Sequence, residues 1–131
     1  MESPHFFVDR SLGAVQVPQL LRQAGWNLTT LVEHYGKPAD EMVADVDWLA
    51  LCGEHGWPVL MKDEKIRYRT AEREALVSAG VTAFCLASGN LRSTEMAEVF
   101  IRHRDVVWEK AVAGGAAIWV LSRQQARLTE L

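Results

Sequence analysis

The hydrophobic positions of the chain form short apolar runs that alternate with stretches of helical spacing. The run "HFFVD" at 5–9 predicts a first strand that ends at Asp9. The next stretch, "VPQLLRQAG", predicts a helix that ends at Gly25, a residue type that often closes helices in the left-handed conformation. The β-branched and aromatic residues of "WNLTTLVEHYG" at 26–36 predict a second strand.

The rest of the chain repeats this alternation. Helices are predicted from about Glu41 to His55, from Thr70 as N-cap to Gly80, and as one long helix from Ser93 to Gly115. Strands are predicted at "WPVLMKD", "VTAFCLAS" and "AAIWVLS", whereas "RQQARLTEL" is a polar tail without a predicted element.

Strands that alternate with helices imply right-handed crossovers and a mainly parallel sheet with helices on both faces. We therefore expect a three-layer α/β/α sandwich with about five strands, the first of them near the centre. The length of 131 residues and the 49% hydrophobic content suit one domain over residues 1–131, with the polar tail at about 123–131.

Composition and charge narrow the classes of protein to consider. A net charge of -3 argues against a protein that coats nucleic acid through bulk positive charge, although a local basic patch is compatible with it. Cys52 and Cys85 lie in apolar stretches, which predicts buried reduced thiols rather than a disulfide framework. No apolar run has the length of a signal peptide core or a membrane span, so we expect a soluble cytoplasmic protein.

Four aspartates are expected at one edge of the sheet. Asp9 and Asp63 end the first and third strands, and Asp45 and Asp47 lie near the start of the helix that leads into the third strand. Carboxylates brought together repel one another unless a cation holds them, and Mg²⁺ prefers such oxygen ligands. Two such ions, about 3.5–4 Å apart, can activate a water and steady the leaving oxygen in phosphodiester cleavage. This arrangement predicts a nuclease.

Basic residues adjoin the predicted acids. In "LMKDEKIRYR" at 60–69, Lys65, Arg67 and Arg69 follow Asp63 directly, and Arg10 follows the first strand. We expect these side chains to contact RNA phosphates, although an ordinary solvated face is the more common role of a charge run.

Plainer interpretations exist for single residues. An aspartate at a strand end is most often a turn former or a helix cap, and Asp45 and Asp47 can simply complement a helix N-terminus. The metal role is favoured for Asp45, while both interpretations stay open for Asp47, because positions two apart on a helix point in different directions. Tyr68 is expected to be a half-buried core residue rather than a base-stacking one.

Three segments carry a resemblance to a known family. "FFVDRSLG", "DVDWLALCGEHGW" and "VLMKDEKIRYR" resemble a PIN-like domain of the kind found in VapC-type toxins of bacterial toxin–antitoxin pairs, and the resemblance covers nearly the whole chain. It implies a ribonuclease that depends on Mg²⁺ or Mn²⁺, is silenced by a cognate antitoxin and often dimerises. Asp9, Asp45 and Asp63 match the catalytic metal-binding positions, and Asp47 is a further candidate ligand.

The chain departs from this family after the fourth strand. Many PIN domains carry a further acid there, whereas "CLASGNLRS" offers Ser88 and Asn90. Both can give a neutral oxygen to an ion or to its water, but neither adds charge, which favours a site with one metal.

Two other classes of function compete with the nuclease. The missing late acid supports a PIN-like module that has lost catalysis and binds a partner. A phosphoacceptor receiver domain also has about this length and an aspartate after its third strand. Its signature fails here, because Asp9 stands before Arg10 rather than beside an acid, and no lysine follows the last strand.

Overall fold

A computed structural model describes residues 2–62, 66, 68–87, 89–129 and 131. It shows a six-stranded sheet between two layers of helices, which confirms the α/β/α sandwich, with one strand more than expected. In chain order the elements are β1 (His5–Val8), α1 (Gln16–Gln23), β2 (Asn27–Thr30), α2 (Leu31–Tyr35), α3 (Asp45–His55), β3 (Val59–Met61), α4 (Thr70–Ala79), β4 (Thr82–Leu86), α5 (Ser93–Arg102), α6 (Arg104–Ala113), β5 (Ala117–Leu121) and β6 (Ala126–Thr129).

The sheet is parallel except at one edge. Its strand order is β2-β1-β3-β4-β5-β6, and only the pair of β5 and β6 is antiparallel among the described strands. The first strand is therefore second from an edge rather than central, and β3 and β4 occupy the middle. The carboxyl ends of β1, β3 and β4 all lie at the same end of the parallel strands. This end of the sheet is hereafter called the carboxyl edge, and it is where this class of fold binds ligands.

Each face of the sheet has its own hydrophobic core. Phe6 and Val8 point to the face covered by α1, α5 and α6, where Trp26 and Phe100 are buried. Phe7, one residue between them, points to the other face and stacks on Trp48 of α3 with ring centroids 5.6 Å apart. Because successive side chains of a strand point to opposite faces of the sheet, the consecutive residues Phe6, Phe7 and Val8 contribute to two different cores.

The predicted second strand is wrong beyond Thr30. The chain turns there into the short helix α2, because Thr30 and Glu33 form a reciprocal capping box. The Thr30 hydroxyl accepts from the Glu33 amide at 3.1 Å, and Glu33 Oε1 accepts from the Thr30 amide at 2.8 Å.

The boundaries of three predicted helices also need correction. The long helix from 93 to 115 is two helices that meet at His103, whose Nε2 lies 2.6 Å from the Ser122 carbonyl oxygen. The helix predicted from Glu41 begins at Asp45, after a separate 3-10 turn at 39–41. Thr70 is the first helical residue rather than the N-cap, which is Arg69.

The polar tail contains a strand that the sequence interpretation missed. β6 pairs with β5 and places Leu128 opposite Trp119. The two strands are joined by a turn in which the Ser122 amide donates to the Gln125 carbonyl at 2.9 Å. A four-residue edge strand in which no residue is buried has little apolar pattern to reveal it.

Both cysteines are buried and neither forms a disulfide bond, as expected. Burial raises the pKa of the Cys52 thiol, and the negative charge of Asp9 raises it further. Tyr68, in contrast, is 73% exposed, which makes the expectation of a half-buried core tyrosine wrong. Among the described residues, no helix is long and apolar enough to cross a membrane.

Candidate active site

Asp9 lies directly after β1 at the carboxyl edge, and its side chain is only 6% exposed. Its Oδ1 accepts hydrogen bonds from the Ser11 amide at 3.1 Å and from the Ser11 hydroxyl at 2.5 Å. Asp9 is thereby the N-cap of the 3-10 turn at 10–12, so the plainer role of this aspartate is present as well. These bonds fix the orientation of a buried carboxylate.

Ser11 connects the ends of two neighbouring strands. Besides donating to Asp9, its hydroxyl accepts from the backbone amide of Lys62 at 2.9 Å. Lys62 follows the end of β3 and directly precedes Asp63. Sequence reasoning missed Ser11, although a serine two residues after an aspartate is a common pattern for such local hydrogen bonds.

Asp45, the first residue of α3, is half-buried and held by a tryptophan. Its Oδ1 accepts a hydrogen bond from Trp48 Nε1 at 3.0 Å. Trp48 is 1% exposed and stacks on Phe7 of β1, so the indole has little freedom to move. Arg10, just beyond the carboxyl end of β1, donates a hydrogen bond to the Val43 carbonyl two residues before Asp45, which places the N-terminus of α3 toward the carboxyl edge.

Arg10 holds the segment before α3 against the end of β1. One of its guanidinium nitrogens donates to the carbonyl oxygens of Asp40 at 3.1 Å and of Val43 at 2.8 Å. These bonds give Arg10 a structural role in addition to the phosphate contact expected from the sequence. Asp40 is an acid that the sequence interpretation passed over. Its Oδ1 is buried and has no hydrogen-bond partner among the described residues.

The other predicted site residues are either exposed or lie outside the described part of the chain. Asp47 is exposed, and its charge contributes, after burial and Cys52, to raising the pKa of Tyr35 in α2. Asn90 is exposed beyond the carboxyl end of β4, and Arg69 is exposed at the start of α4. The predicted site residues outside the described ones are Asp63, Lys65, Arg67 and Ser88.

An acid does follow the fourth strand, but its charge is compensated. Glu95 lies in the first turn of α5, where its Oε1 accepts from the Arg92 amide at 3.0 Å and its Oε2 pairs with Arg123. The Arg92 amide, and then the guanidinium groups of Arg123 and Arg92, hold the pKa of Glu95 below its usual value. The same edge carries a cleft of about 340 Å³ that is lined by Asn90, Glu95 and Arg123.

The carboxylate oxygens of Asp9 and Asp45 are suitable ligands for a hard divalent cation. Each carboxylate has its Oδ1 oriented by a neutral donor, which is a common way of positioning metal ligands. The thiol of Cys52 does not compete as a ligand, because its raised pKa keeps it protonated at neutral pH. Within the described part of the chain, no group of three or more His, Cys, Asp or Glu residues has a metal-binding arrangement.

Comparisons with known proteins agree with this architecture. The family model described as "PIN like domain" matches residues 4–88, a range that runs from β1 past β4 and includes Asp9, Asp45 and Asp63. The chain is 45% identical over 97 residues to "Putative ribonuclease VapC45" of Mycobacterium tuberculosis, which covers 74% of this chain and 70% of the relative. No solved structure matches the chain significantly.

Proposed function

The chain belongs to the PIN-like domain family as a VapC-type member, and on that premise we propose that it is a metal-dependent endoribonuclease, the toxin of a bacterial toxin–antitoxin pair. The observation that carries the proposal is the clasp formed by Ser11, which joins the buried Asp9 carboxylate to the backbone at Lys62. It ties the first acid to the strand end from which Asp63 follows. Membership in the PIN-like family excludes the alternative of a phosphoacceptor receiver domain.

We assign the metal ligands to the acids at the carboxyl edge. Asp9, Asp45 and Asp63 would hold Mg²⁺ or Mn²⁺, with Asp47 as an outer candidate and with Ser88 and Asn90 in contact with the ion or its water. A bound ion supplies Lewis-acid activation of water and neutralises charge on the phosphate. The contribution of the chain is to keep the carboxylates oriented before the ion arrives: Ser11 does so for Asp9 and Trp48 for Asp45.

The basic residues around this edge would hold the RNA backbone. Lys65, Arg67 and Arg69 follow Asp63, and Arg10 lies beside Asp9. On a chain of net charge -3 such binding depends on a local patch, so RNA affinity should fall steeply as salt is raised.

The partners follow from the family. The relative is named as a VapC protein, and the resemblance to VapC-type toxins implies a cognate antitoxin protein that silences the nuclease. We propose the same partnership for this chain, acting in the cytoplasm, with a homodimer as a further expected assembly.

A second candidate function is a PIN-like module that binds a partner without cleaving RNA. It is favoured by the carboxyl end of β4, where Ser88 and Asn90 replace the usual acid and Glu95 is neutralised by Arg123. This candidate predicts intact RNA in the presence of folded protein and metal.

Cleavage of end-labelled total RNA by antitoxin-free protein distinguishes the two candidates. We expect cleavage in Mn²⁺ or Mg²⁺ and none in EDTA. Asp9→Asn and Asp63→Ala should each lose at least about a hundredfold in rate, the scale of removing an electrostatic group from a catalytic site. Asp105→Asn is the matched control, because the Asp105 side chain is 91% exposed on α6 and is not one of the predicted site residues. Cleavage that persists in EDTA, or intact RNA in every lane, would overturn the nuclease proposal.

A further inference from the structure

The two outer strands of the sheet differ in how their outward backbone groups are satisfied. Along β2, the Arg22 guanidinium donates to the Leu28 carbonyl at 3.1 Å, and the Thr30 amide donates to Glu33 Oε1 at 2.8 Å. Arg22 and Glu33 also form an ion pair with each other at 2.7 Å. Side chains thus cover the outer side of β2, which is a common way of preventing a strand from pairing with another chain.

The outer side of β6 lacks this protection within the described part of the chain. Hydrogen-bonded pairs alternate along an antiparallel ladder, and the Ser122 amide donates to the Gln125 carbonyl at the turn between β5 and β6. The backbone groups of Arg127 and Thr129 therefore face β5, whereas the amide and carbonyl of Leu128 face outward. No described residue forms a hydrogen bond with these two groups of Leu128.

Apolar side chains are exposed around this open strand. Leu128 is 59% exposed and lies opposite Trp119 of β5, whose ring is covered by Lys110 of α6. Leu131 is 48% exposed and lines a groove of about 560 Å³ together with Val77 of α4, which is also 48% exposed. Unpaired backbone groups beside exposed apolar side chains are the features of a strand that can pair with another chain.

We propose that the outer side of β6 pairs with β6 of a second copy of this chain, in antiparallel orientation, so that the two sheets become one continuous sheet. The inference rests on the proposed function, which includes a homodimer, and it names the contact surface of that dimer. β6 lies outside residues 4–88, the range that the PIN-like family model matches, so the structure of this chain alone supports the surface.

The charge on β6 selects the register of this pair. With Leu128 on the twofold axis, each Leu128 amide donates to the carbonyl of the partner's Leu128, and Arg127 lies opposite the partner's Thr129. A register with Arg127 on the axis would place two like charges directly opposite each other, which is destabilising. The favoured register also continues the apolar row of Trp119 and Leu128 across the interface. An antiparallel pair of identical strands is self-complementary, so a second copy supplies every group that this contact needs.

Sedimentation velocity over a range of protein concentrations tests the pairing without RNA or metal. A contact built on a four-residue strand is small for a protein interface, so we expect a wild-type dimer with a dissociation constant of about 1 μM. Leu128→Pro removes only an outward amide, a position at which outer strands tolerate proline. The loss of two hydrogen bonds per dimer should weaken association about 5- to 150-fold. Leu128→Val keeps the amide and should associate as wild type does.

Two further variants keep the test independent of proline. Leu128→Lys leaves the backbone intact but places two like charges on the axis, so it should be monomeric at low salt. Leu128→Cys should form a disulfide between two copies under mild oxidation, because Cα atoms of a hydrogen-bonded pair lie about 5.5 Å apart, within disulfide range. Val112→Lys and Val112→Cys are the matched controls, since Val112 is 66% exposed on α6. The native cysteines are buried and should not cross-link.

The outcomes separate this inference from the nuclease proposal. A wild type that stays monomeric at every concentration, or a dimer that persists in both Leu128→Pro and Leu128→Lys, would overturn the β6 contact. Binding of an antitoxin strand to β6 by a chain that is monomeric alone would overturn it too. Cleavage of RNA by such a monomer would leave the nuclease proposal standing, whereas a β6 dimer that fails to cleave RNA would still support this inference.

Discussion

At the scale of single residues, a few hydrogen bonds determine how the acids are presented. The positions of Asp9 and Asp45 in the fold were predictable, because the ends of parallel strands meet at one edge and the sequence shows where those strands end. Ser11 was not, because its bond to Lys62 joins residues 51 positions apart and exists only once β1 pairs with β3. The structure places Asp9 and Asp45 at this edge, and their metal-binding role stays a prediction.

Ser11→Ala should reduce RNA cleavage about 10- to 100-fold, the usual cost of removing a group that orients a metal ligand. It should also lower the free energy of unfolding by about 1–2 kcal/mol, because the Lys62 amide loses its acceptor. Ser3→Ala is the control, since the Ser3 hydroxyl likewise accepts a backbone amide, that of Asn27 at 3.0 Å, at the start of the strands. Urea unfolding and cleavage rates measure both effects. If Ser11→Ala and Ser3→Ala cleaved RNA at the same rate, the proposed role of Ser11 in orienting Asp9 would be contradicted.

Trp48→Phe should weaken activity by removing the donor to Asp45 while keeping an aromatic ring on Phe7. Trp26→Phe is the matched control, because Trp26 is also buried but its Nε1 has no hydrogen-bond partner among the described residues. Both variants should lose stability by about 1–3 kcal/mol through imperfect packing. Only Trp48→Phe should show a cleavage rate well below wild type. The same loss of activity in Trp26→Phe would mean that packing, not the indole donor, accounts for the effect.

At the scale of elements, local hydrogen bonds override residue propensity. The stretch at 26–36 has the composition of a strand, yet its sequence "TLVE" at 30–33 is a capping box that starts a helix. That signal was available in the sequence and should have ended the predicted strand at Thr30. The break between α5 and α6 at His103 could not be predicted from the sequence, because it coincides with a contact to Ser122, 19 residues away.

Glu33→Gln tests the charge at this capping box. Burial alone would raise the pKa of Glu33, but the hydrogen bonds from Arg22 and from the Thr30 amide outweigh it and lower the pKa below 4.5. A carboxyl whose pKa is lowered by folding stabilises the protein above its unfolded pKa, and this contribution is lost as pH falls through the folded value. Because the side chain is 46% exposed, Glu33→Gln should be less stable than wild type by about 0.5 kcal/mol at pH 7, and this difference should shrink as pH falls below the ordinary pKa of a glutamate. Urea unfolding across this range measures it, and a difference that is constant with pH would contradict the assignment.

Gly53→Ala tests the close contact of α3 with α4. A Cβ at Gly53 would lie 2.7 Å from both the Cβ and the carbonyl oxygen of Ala79, so the two helices would have to move apart. We expect a loss of about 1–3 kcal/mol in the free energy of unfolding. Helix propensity alone predicts the opposite, a gain of about 1 kcal/mol. Glu54→Ala, at the next and exposed position, should change stability by less than about 0.5 kcal/mol. A more stable Gly53→Ala protein would contradict the contact.

At the scale of the whole molecule, the class of fold was predictable and the details of its sheet were not. Alternating strand and helix patterns allow few architectures other than a parallel sheet covered on both faces. The order of the strands depends on which pairs find each other in space, so β1 was placed too near the centre. The edge strand β6 was missed because none of its residues is buried, so the sequence shows no core-facing pattern there.

The same architecture explains how elements distant in the sequence reach one edge of the sheet. Asp9 comes from the end of β1, Asp45 from the start of α3, and Asp63 follows β3. Parallel strands with crossover helices bring all three elements to the carboxyl edge without any local sequence motif. A metal site built in this way depends on the whole fold rather than on one loop.

Titration calorimetry with Mn²⁺ tests this account most directly, because it measures the metal site apart from any RNA. The proteins are wild type, Asp9→Asn and Asp105→Asn, each shown by circular dichroism to be folded. We predict that wild type and Asp105→Asn release the same heat of binding and that Asp9→Asn releases none. Equal heats from all three proteins, or no binding by wild type, would contradict a metal centre held by Asp9 at the carboxyl edge.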